Sequence, residues 1–375
     1  MKLLYGVSSV GLGHARRSVE IADRLESLGY EIDWVSSEPT TTFLRSKNKR
    51  LLPICSELKS LSTAMESRVT NGRLDDISKV ARMSSALGSA NYSRLKPFLG
   101  MYDGLIQDEY PETMFSFMWD KNPVLPGKKV VVTDYLWLET KTYNLVSRIV
   151  IWYANRMLAK AYQNSGLRIF VDDAESETNS MNFQVVGPVI GQFPLESRDE
   201  LRTRLFSVKR RLIILVCVGG TSTGKHLLDA IYSQRKTILS EIKDSALVFM
   251  LGPRIDRSQY PENTETIQFV TFTSDALAFF KAVDVVICQA GASTMNEVAS
   301  LGTPCVTVPI AGHWEQEENA MKFAKKYGFQ RLAGDKLGAK SIVSAITAAF
   351  GSSYRPLSSS GAERAAELIH DYLRM

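Results

Sequence analysis

Short apolar runs rich in β-branched residues recur along the chain at 2–7, 31–35, 103–107, 129–133 and 167–171, and again at 212–218, 247–251, 267–270, 283–288 and 305–309. Each is bounded by turn residues and reads as a buried strand of a parallel sheet. Between them the apolar positions change to helical spacing. Residues 15–28 place Val19, Ala22, Leu25 and Leu28 on one face before Gly29, and 358–373 does the same with Ala362, Ala365, Ala366 and Ile369. Residues 143–163 align Leu145, Ile149, Trp152, Tyr153, Met157 and Ala161, which predicts a crossover helix packed on the sheet, with a membrane-touching helix as the alternative. Strand and helix alternate throughout, so the expected class is α/β.

At 375 residues the chain is long enough for two such domains of roughly 170 to 190 residues each. The Gly/Pro-bearing stretch 187–194 is the natural linker between them. The cysteines at 55, 217, 288 and 305 have neither metal-ligand spacing nor a disulfide framework, and three of them sit in predicted strands. Packing is their expected role. Every apolar run stops well short of the ~18 residues needed to span a bilayer, and the N-terminus enters a strand without a charged-then-apolar signal pattern, so cytoplasmic residence is expected. The net charge is +5, yet the basic residues divide almost evenly between the halves with no aromatic-interleaved stripe, which argues against nucleic acid. Arg45-Ser46-Lys47-Asn48-Lys49-Arg50 is the one concentrated basic cluster. It reads as a solvated loop, or alternatively as a contact to an anionic membrane surface.

The chemistry concentrates in 289–320. After the apolar run 283–288, Gln289-Ala290-Gly291-Ala292 forms a small-residue turn, and Ser293 or Thr294 is placed to cap a helix running to about Leu301. Free N–H groups and the positive end of the helix dipole then face the crevice above the strand, where a diphosphate fits without a metal. Glu297, one turn in, is placed to accept from a ribose hydroxyl. Gly302 ends the helix, Pro304 prevents its continuation, and the next strand delivers Glu315 and Gln316 to the same sheet edge. Gly291, Thr294, Glu297, Gly302, Pro304, Pro309, Glu315, Gln316, Asn319 and Ala320 together resemble the donor motif of GT-B glycosyltransferases, closest to the family of the peptidoglycan N-acetylglucosaminyltransferase, glycosyltransferase family 28. The resemblance is strong over about 210–330 and weaker over 1–35.

It implies two Rossmann-like parallel-sheet domains facing a cleft: 1–187 on the acceptor side, 188–355 holding the donor, and 356–375 a helix returning to the first domain. It implies metal-independent, inverting transfer from a nucleotide sugar, with UDP as the expected nucleotide, to a hydroxyl acceptor that is lipid-linked in some relatives. No other cofactor is implied, and peripheral contact with the cytoplasmic membrane face is. Gly219, Gly220 and Thr221 match the family's diphosphate-lining turn, and Phe272 its nucleobase contact. Gly219 to Lys225 also spells G-x-x-x-x-G-K, but His226 stands where a phosphate loop needs Ser or Thr for Mg²⁺. Where relatives carry an arginine after the Gly-Pro stretch, Gly191 and Gln192 stand here.

Near the N-terminus, Gly11-Leu12-Gly13-His14 follows the first strand and opens the first helix. It is not the G-x-G-x-x-G of dinucleotide folds, so NAD is disfavoured. Gly11 and Gly13 let the backbone approach substrate, and the resemblance places His14 near the acceptor hydroxyl as general base. As an alternative, His14 only caps the helix or contacts phosphate. Asp108 and Asp134, at two strand ends, are candidates to orient His14 or bind acceptor hydroxyls. A nucleotide-sugar hydrolase resembles the same fold and shares Gly-x-Gly-His-x-x-Arg through Arg17, which makes hydrolysis the nearest rival. A non-catalytic sugar-nucleotide-binding subunit is the other.

Overall fold

The computed structural model describes residues 1–74, 77–138, 144–173, 178, 180–334 and 337–375. The chain lays down β1 (Lys2–Val7), β2 (Glu31–Val35), the short hairpin β3 (Val69–Thr70) and β4 (Arg73–Leu74), β5 (Gly104–Asp108), β6 (Lys128–Thr133), β7 (Leu167–Phe170) and β8 (Gln184–Val185). It continues with β9 (Leu212–Cys217), β10 (Ser245–Met250), β11 (Ile267–Val270), β12 (Val285–Cys288), β13 (Cys305–Thr307) and β14 (Gln330–Arg331). They build two compact units. One comprises Met1–Arg68, Asp76–Ile190 and Ser359–Met375, the other Val69–Asp75 and Gly191–Ser358.

In the first unit a parallel sheet has the order β2-β1-β5-β6-β7-β8. Leu3, Leu4, Tyr5 and Val7 are wholly buried, as a central strand covered on both faces requires. Tyr5 lies opposite Trp34 on β2, the two rings stacked 4.6 Å apart. The helix Gly361–Arg374 returns to this unit, burying Ala362, Ala365, Ala366, Ile369 and Leu373. Lys128 Nζ donates to Leu373 O at 2.5 Å, Tyr30 Oη lies 3.0 Å from His370 Nδ1, and Arg24 pairs with Glu363.

The second unit has the parallel order β11-β10-β9-β12-β13-β14. Alternate residues of β9 feed two cores: Ile213, Leu215 and Cys217 on one face, Ile214 and Val216 on the other. The hairpin β3–β4 belongs to this unit, although the surrounding sequence belongs to the first. Leu74 N–H donates to Ala311 O and Ala311 N–H to Gly72 O, both at 2.8 Å.

One expectation fails. The helix Leu145–Gln163 starts at Leu145, with Asn144 Oδ1 capping Ser147 N–H at 2.9 Å, and Tyr143 lies outside the described residues. It buries Ser147, Ile151, Leu158, Ala161 and Tyr162, while Leu145, Ile149, Trp152 and Tyr153 are exposed. Of the expected face Ala161 is buried, and the rest of the packed side is Ser147, Ile151, Leu158 and Tyr162 instead. Ser147 is small and Tyr162 donates its hydroxyl to Tyr135 O at 3.1 Å, so a mixed face can be buried. Among the described residues, no helix is long and apolar enough to cross a membrane.

Candidate active site

Ligands of open parallel sheets bind outside the carboxyl ends of the strands, where successive connections leave in opposite directions. In the first unit that point lies between β1 and β5, and in the second between β9 and β12. Both candidate clusters emerge there.

After β1, Gly11 turns the chain with φ of +82°, a conformation that favours glycine, and the helix Gly13–Ser27 begins. His14 and Arg17, three positions apart on that helix, both reach the end of β5. Arg17 is 4% exposed. Its Nε donates to Asp108 Oδ2 at 2.8 Å, Nη2 to Asp108 Oδ1 at 2.6 Å and Glu109 Oε1 at 3.0 Å, and Nη1 to Asp134 Oδ2 at 2.5 Å. Ser18 Oγ adds a bond of 2.8 Å to Asp108 Oδ2.

This arrangement fixes the imidazole. Nη2 carries two hydrogens and both are taken by carboxylates, so at 3.0 Å from His14 Nδ1 it has none left to give. Nδ1 therefore holds its own proton and donates it to Asp108 Oδ1 at 3.1 Å. Nε2 is left as the proton-accepting nitrogen, 3.7 Å from Glu109 Oε2. Glu109 Oε1 already accepts from Arg17, from Thr133 Oγ1 at 2.9 Å and from Asp134 N–H at 3.1 Å. Glu109 Oε2 is the oxygen that faces Nε2.

The electrostatics follow from burial and this crowding. Burial pushes the Glu109 carboxyl up, neighbouring Asp134 adds to it, and the pKa reaches about 8. For His14 burial acts downward, but Glu109 and Asp108 outweigh it and the pKa rises to about 9. Asp108 is driven up by burial and more strongly down by Arg17 and His14, to about 2. Asp134 is also lowered, because Arg17 and His14 outweigh its burial. His14 keeps 17% of its side chain accessible. Ligand atoms of His14, Asp108 and Glu109 lie within 4.8 Å of one another, a grouping able to hold a metal ion. Arg17, however, already donates to both Asp108 oxygens and to Glu109 Oε1, and it supplies the positive charge an ion would bring.

The structure thus gathers His14, Asp108 and Asp134, with Asp134 linked to His14 through Arg17 and Glu109. Glu109 is not anticipated from the sequence. The available sign is a pair of adjacent carboxyl residues closing an apolar strand, and a second is an arginine three positions after His14. Glu109 has φ of +44°, an unusual value for a residue with a side chain, and such backbone clusters at functional sites.

In the second unit, β9 and β12 are hydrogen-bonded neighbours, with Cys217 opposite Cys288. The turns Val218–Gly224 and Gln289–Gly291 therefore leave the sheet side by side. A Cβ at Gly224 would lie 3.1 Å from Gln289 Oε1, which places that side chain between the two turns. The helix Ala292–Leu301 starts with Gly291 as its N-cap and no side chain capping it. Ser293 and Thr294 lie inside the first turn instead of capping it, so the first N–H groups retain their capacity for an anion. Gly302 ends the helix at φ of +69°, as expected.

Thr221 Oγ1 is bonded to Thr223 Oγ1 at 2.7 Å, and Lys225 Nζ pairs with Asp229 at 2.5 Å. The lysine of the phosphate-loop-like string is thus engaged along its own helix. Glu297 is 4% exposed and has partners of its own. Gln316 Oε1 accepts from Ile310 N–H at 2.9 Å, so its amide NH₂ is the end left for a ligand. Asn319 Nδ2 donates to Ala290 O at 3.2 Å, tying the helix Trp314–Tyr327 to the turn after β12. Glu315 lies in the first turn of that helix, where a negative charge also favours the dipole. Phe272 follows β11, two strands from β9 and thus about 10 Å across the sheet.

Residues 213–372 match the glycosyltransferase family 28 C-terminal domain. An uncharacterized glycosyltransferase of Methanosarcina mazei is 24% identical over 348 residues, covering 88% of this chain and 85% of that protein. A UDP-N-acetylglucosamine--N-acetylmuramyl-(pentapeptide) pyrophosphoryl-undecaprenol N-acetylglucosamine transferase of Trichlorobacter lovleyi is 29% identical over 137 residues, 34% of this chain and 36% of that one. The solved structure of CalG4, the calicheamicin glycosyltransferase, superimposes with a TM-score of 0.62 at 17% identity, covering 100% of this chain and 98% of that one. The two parallel sheets and the returning helix are thus the GT-B architecture. The chain is a glycosyltransferase, and its 213–372 segment matches the family 28 C-terminal domain.

Arg17→Leu strands two buried carboxylates. It should lower unfolding free energy at neutral pH by about 3–5 kcal/mol, read by urea titration. The loss should shrink toward acid pH as Asp108 and Asp134 take up protons.

Proposed function

We propose that the protein transfers a sugar from a UDP-sugar to a hydroxyl acceptor, with inversion and without a metal ion, at the cytoplasmic face of a membrane that it does not cross. A lipid-linked acceptor is the reading favoured by the name of the Trichlorobacter relative. One observation carries the donor half. A Cβ added at Gly219 or at Gly291 would meet no protein atom within 4 Å, and neither residue has the positive φ that favours glycine. Folding does not require a glycine at either place. Two such glycines side by side, at a strand switch point and beside free helix N–H groups, are what close approach of a diphosphate requires.

The chemistry then runs as follows. The acceptor O–H loses its proton to His14 Nε2 while its oxygen bonds to the anomeric carbon. The bond from that carbon to the diphosphate oxygen breaks, and the electron pair leaves with UDP. The N–H groups of Ala292, Ser293 and Thr294, the hydroxyls of Ser293 and Thr294, and the Gly219-Gly220-Thr221 turn stabilise the departing charge. Asp108 holds the tautomer, and Glu109 governs the proton affinity of Nε2.

Gly219→Ala and Gly291→Ala should each weaken UDP binding by roughly 5- to 150-fold, the equivalent of about 1–3 kcal/mol, in calorimetric titration, with the thermal midpoint unchanged. A loss of stability with intact binding would return both glycines to a packing role. UDP release from UDP-sugars should need an added hydroxyl acceptor; release into water alone would make the protein a hydrolase, and binding without release a carrier subunit. Because the base works unprotonated, kcat/KM should rise with pH and level off above about 9. Glu109→Gln removes the carboxylate that raises the imidazole, so its midpoint should fall toward or below the ordinary value of about 6.5. A midpoint that does not move would remove Glu109 from this role.

A further inference from the structure

The hairpin β3–β4 turns on Asn71 and Gly72, with φ of +49° and +73°, the pair of positive values that a tight two-residue hairpin loop requires. Thr70 and Arg73 face each other beside the turn, and Val69 and Leu74 form the next pair. Bonded and non-bonded pairs alternate along an antiparallel ladder, so Leu74 points its N–H away from Val69. Ala311 receives it. Leu74 N–H donates to Ala311 O and Ala311 N–H to Gly72 O, both at 2.8 Å, which makes Ala311 a parallel third strand one residue long. Gly312 follows with φ of +78°, and a Cβ there would lie 3.3 Å from Leu74 O. The tip is enclosed on its other side too. A Cβ at Gly72 would lie 2.6 Å from His226 Cδ2 and 2.7 Å from Gly334 O, and one at Gly334 would strike Pro309 O. His226 Nε2 lies 3.1 Å from Gly334 O, so that nitrogen carries the proton and donates it. The histidine that spoils the phosphate-loop string is thus spent on the hairpin tip and the turn after β14.

We propose that this hairpin is a positioning element for the sugar end of the donor: it fixes the backbone at Ala311 and Gly312 from which Gln316 presents its amide NH₂ to the hexose. The nucleotide end is left to the Gly219 and Gly291 turns. The inference rests on the transferase reading above and adds Asn71 and Gly72 to the residues that serve it. Folding of the second unit makes little use of the hairpin. Thr70, Asn71 and Arg73 are exposed and Val69 is half-buried, so Leu74 is its one buried side chain. The strand that feeds the loop, β13, is already paired to β12 and β14, and the hairpin forms a separate sheet. What the hairpin does supply is backbone bonds, and these set the conformation of a loop while burying little apolar surface. The loop in turn is joined to the ligand-facing side chain, because Ile310 N–H donates to Gln316 Oε1 at 2.9 Å. A shift at Ala311 is therefore passed through its neighbour to the orientation of the Gln316 amide.

The test is calorimetric titration of the full chain with UDP, UDP-glucose and UDP-N-acetylglucosamine. Asn71→Pro forbids the positive φ of the turn at an exposed position, and Gly72→Ala puts a methyl group against His226 and Gly334. In both, affinity for the sugar nucleotide that the parent binds should fall roughly tenfold, the worth of a hydrogen bond, while UDP alone stays within about twofold of the parent. Asn71→Gly keeps the positive φ and should bind both ligands as the parent does. The proposal is overturned if Asn71→Pro and Gly72→Ala bind the sugar nucleotide undiminished. It is equally overturned if UDP affinity falls in step with it, the mark of a generally loosened unit. Either result, with UDP binding normal in the parent, leaves the transferase reading standing. A parent that does not bind UDP removes that reading and this inference with it.

Discussion

A guanidinium buried at the end of a parallel strand has to be neutralised where it lies, and that requirement organises the first unit. Arg17 cannot shed its charge, so the residues around it are acidic, and three carboxylates from β5 and β6 converge on it. Their excess negative charge is then felt by His14. The imidazole is raised because the arginine recruited more carboxylate than it neutralises, and its tautomer is set because the arginine's hydrogens are already committed. Orientation and basicity of the candidate base both descend from one packing problem.

The second unit is built by the opposite means. At the β9–β12 switch point it keeps side chains away, through Gly219 and Gly291, and offers backbone N–H groups. One cluster is packed with ionisable groups paired to one another, and the other is built around glycines and backbone N–H groups. That division suits a reaction in which one partner must lose a proton and the other must release a charged leaving group.

The strands are legible because buried parallel strands are short continuous apolar runs, and 104–108, 128–133 and 285–288 fall within a residue or two of the expected bounds. The donor motif is legible because its punctuation is chemical: Gly302 does turn with positive φ. What the sequence conceals depends on tertiary contact. Ser293 and Thr294 read as caps, but the helix starts earlier, on Gly291. Glu109 is invisible until β5 and β6 pair and bring Asp134 beside it. The Leu145–Gln163 helix misleads because periodicity marks an apolar face without saying what lies against it, and here a serine, an isoleucine and a tyrosine take the inner side.

The hairpin Val69–Leu74 bears on modularity. The chain leaves the first unit to build two short strands of the second, then goes back and builds most of its home unit before crossing over after Ile190, to return only at Ser359. Through Gly72 and Leu74 that early excursion grips Ala311, on the loop leading to Glu315 and Gln316. A graft that exchanged second units at the obvious linker would therefore transplant the Ala311 loop without its clasp. Residues far upstream are thus part of the framework that holds the loop carrying Glu315 and Gln316.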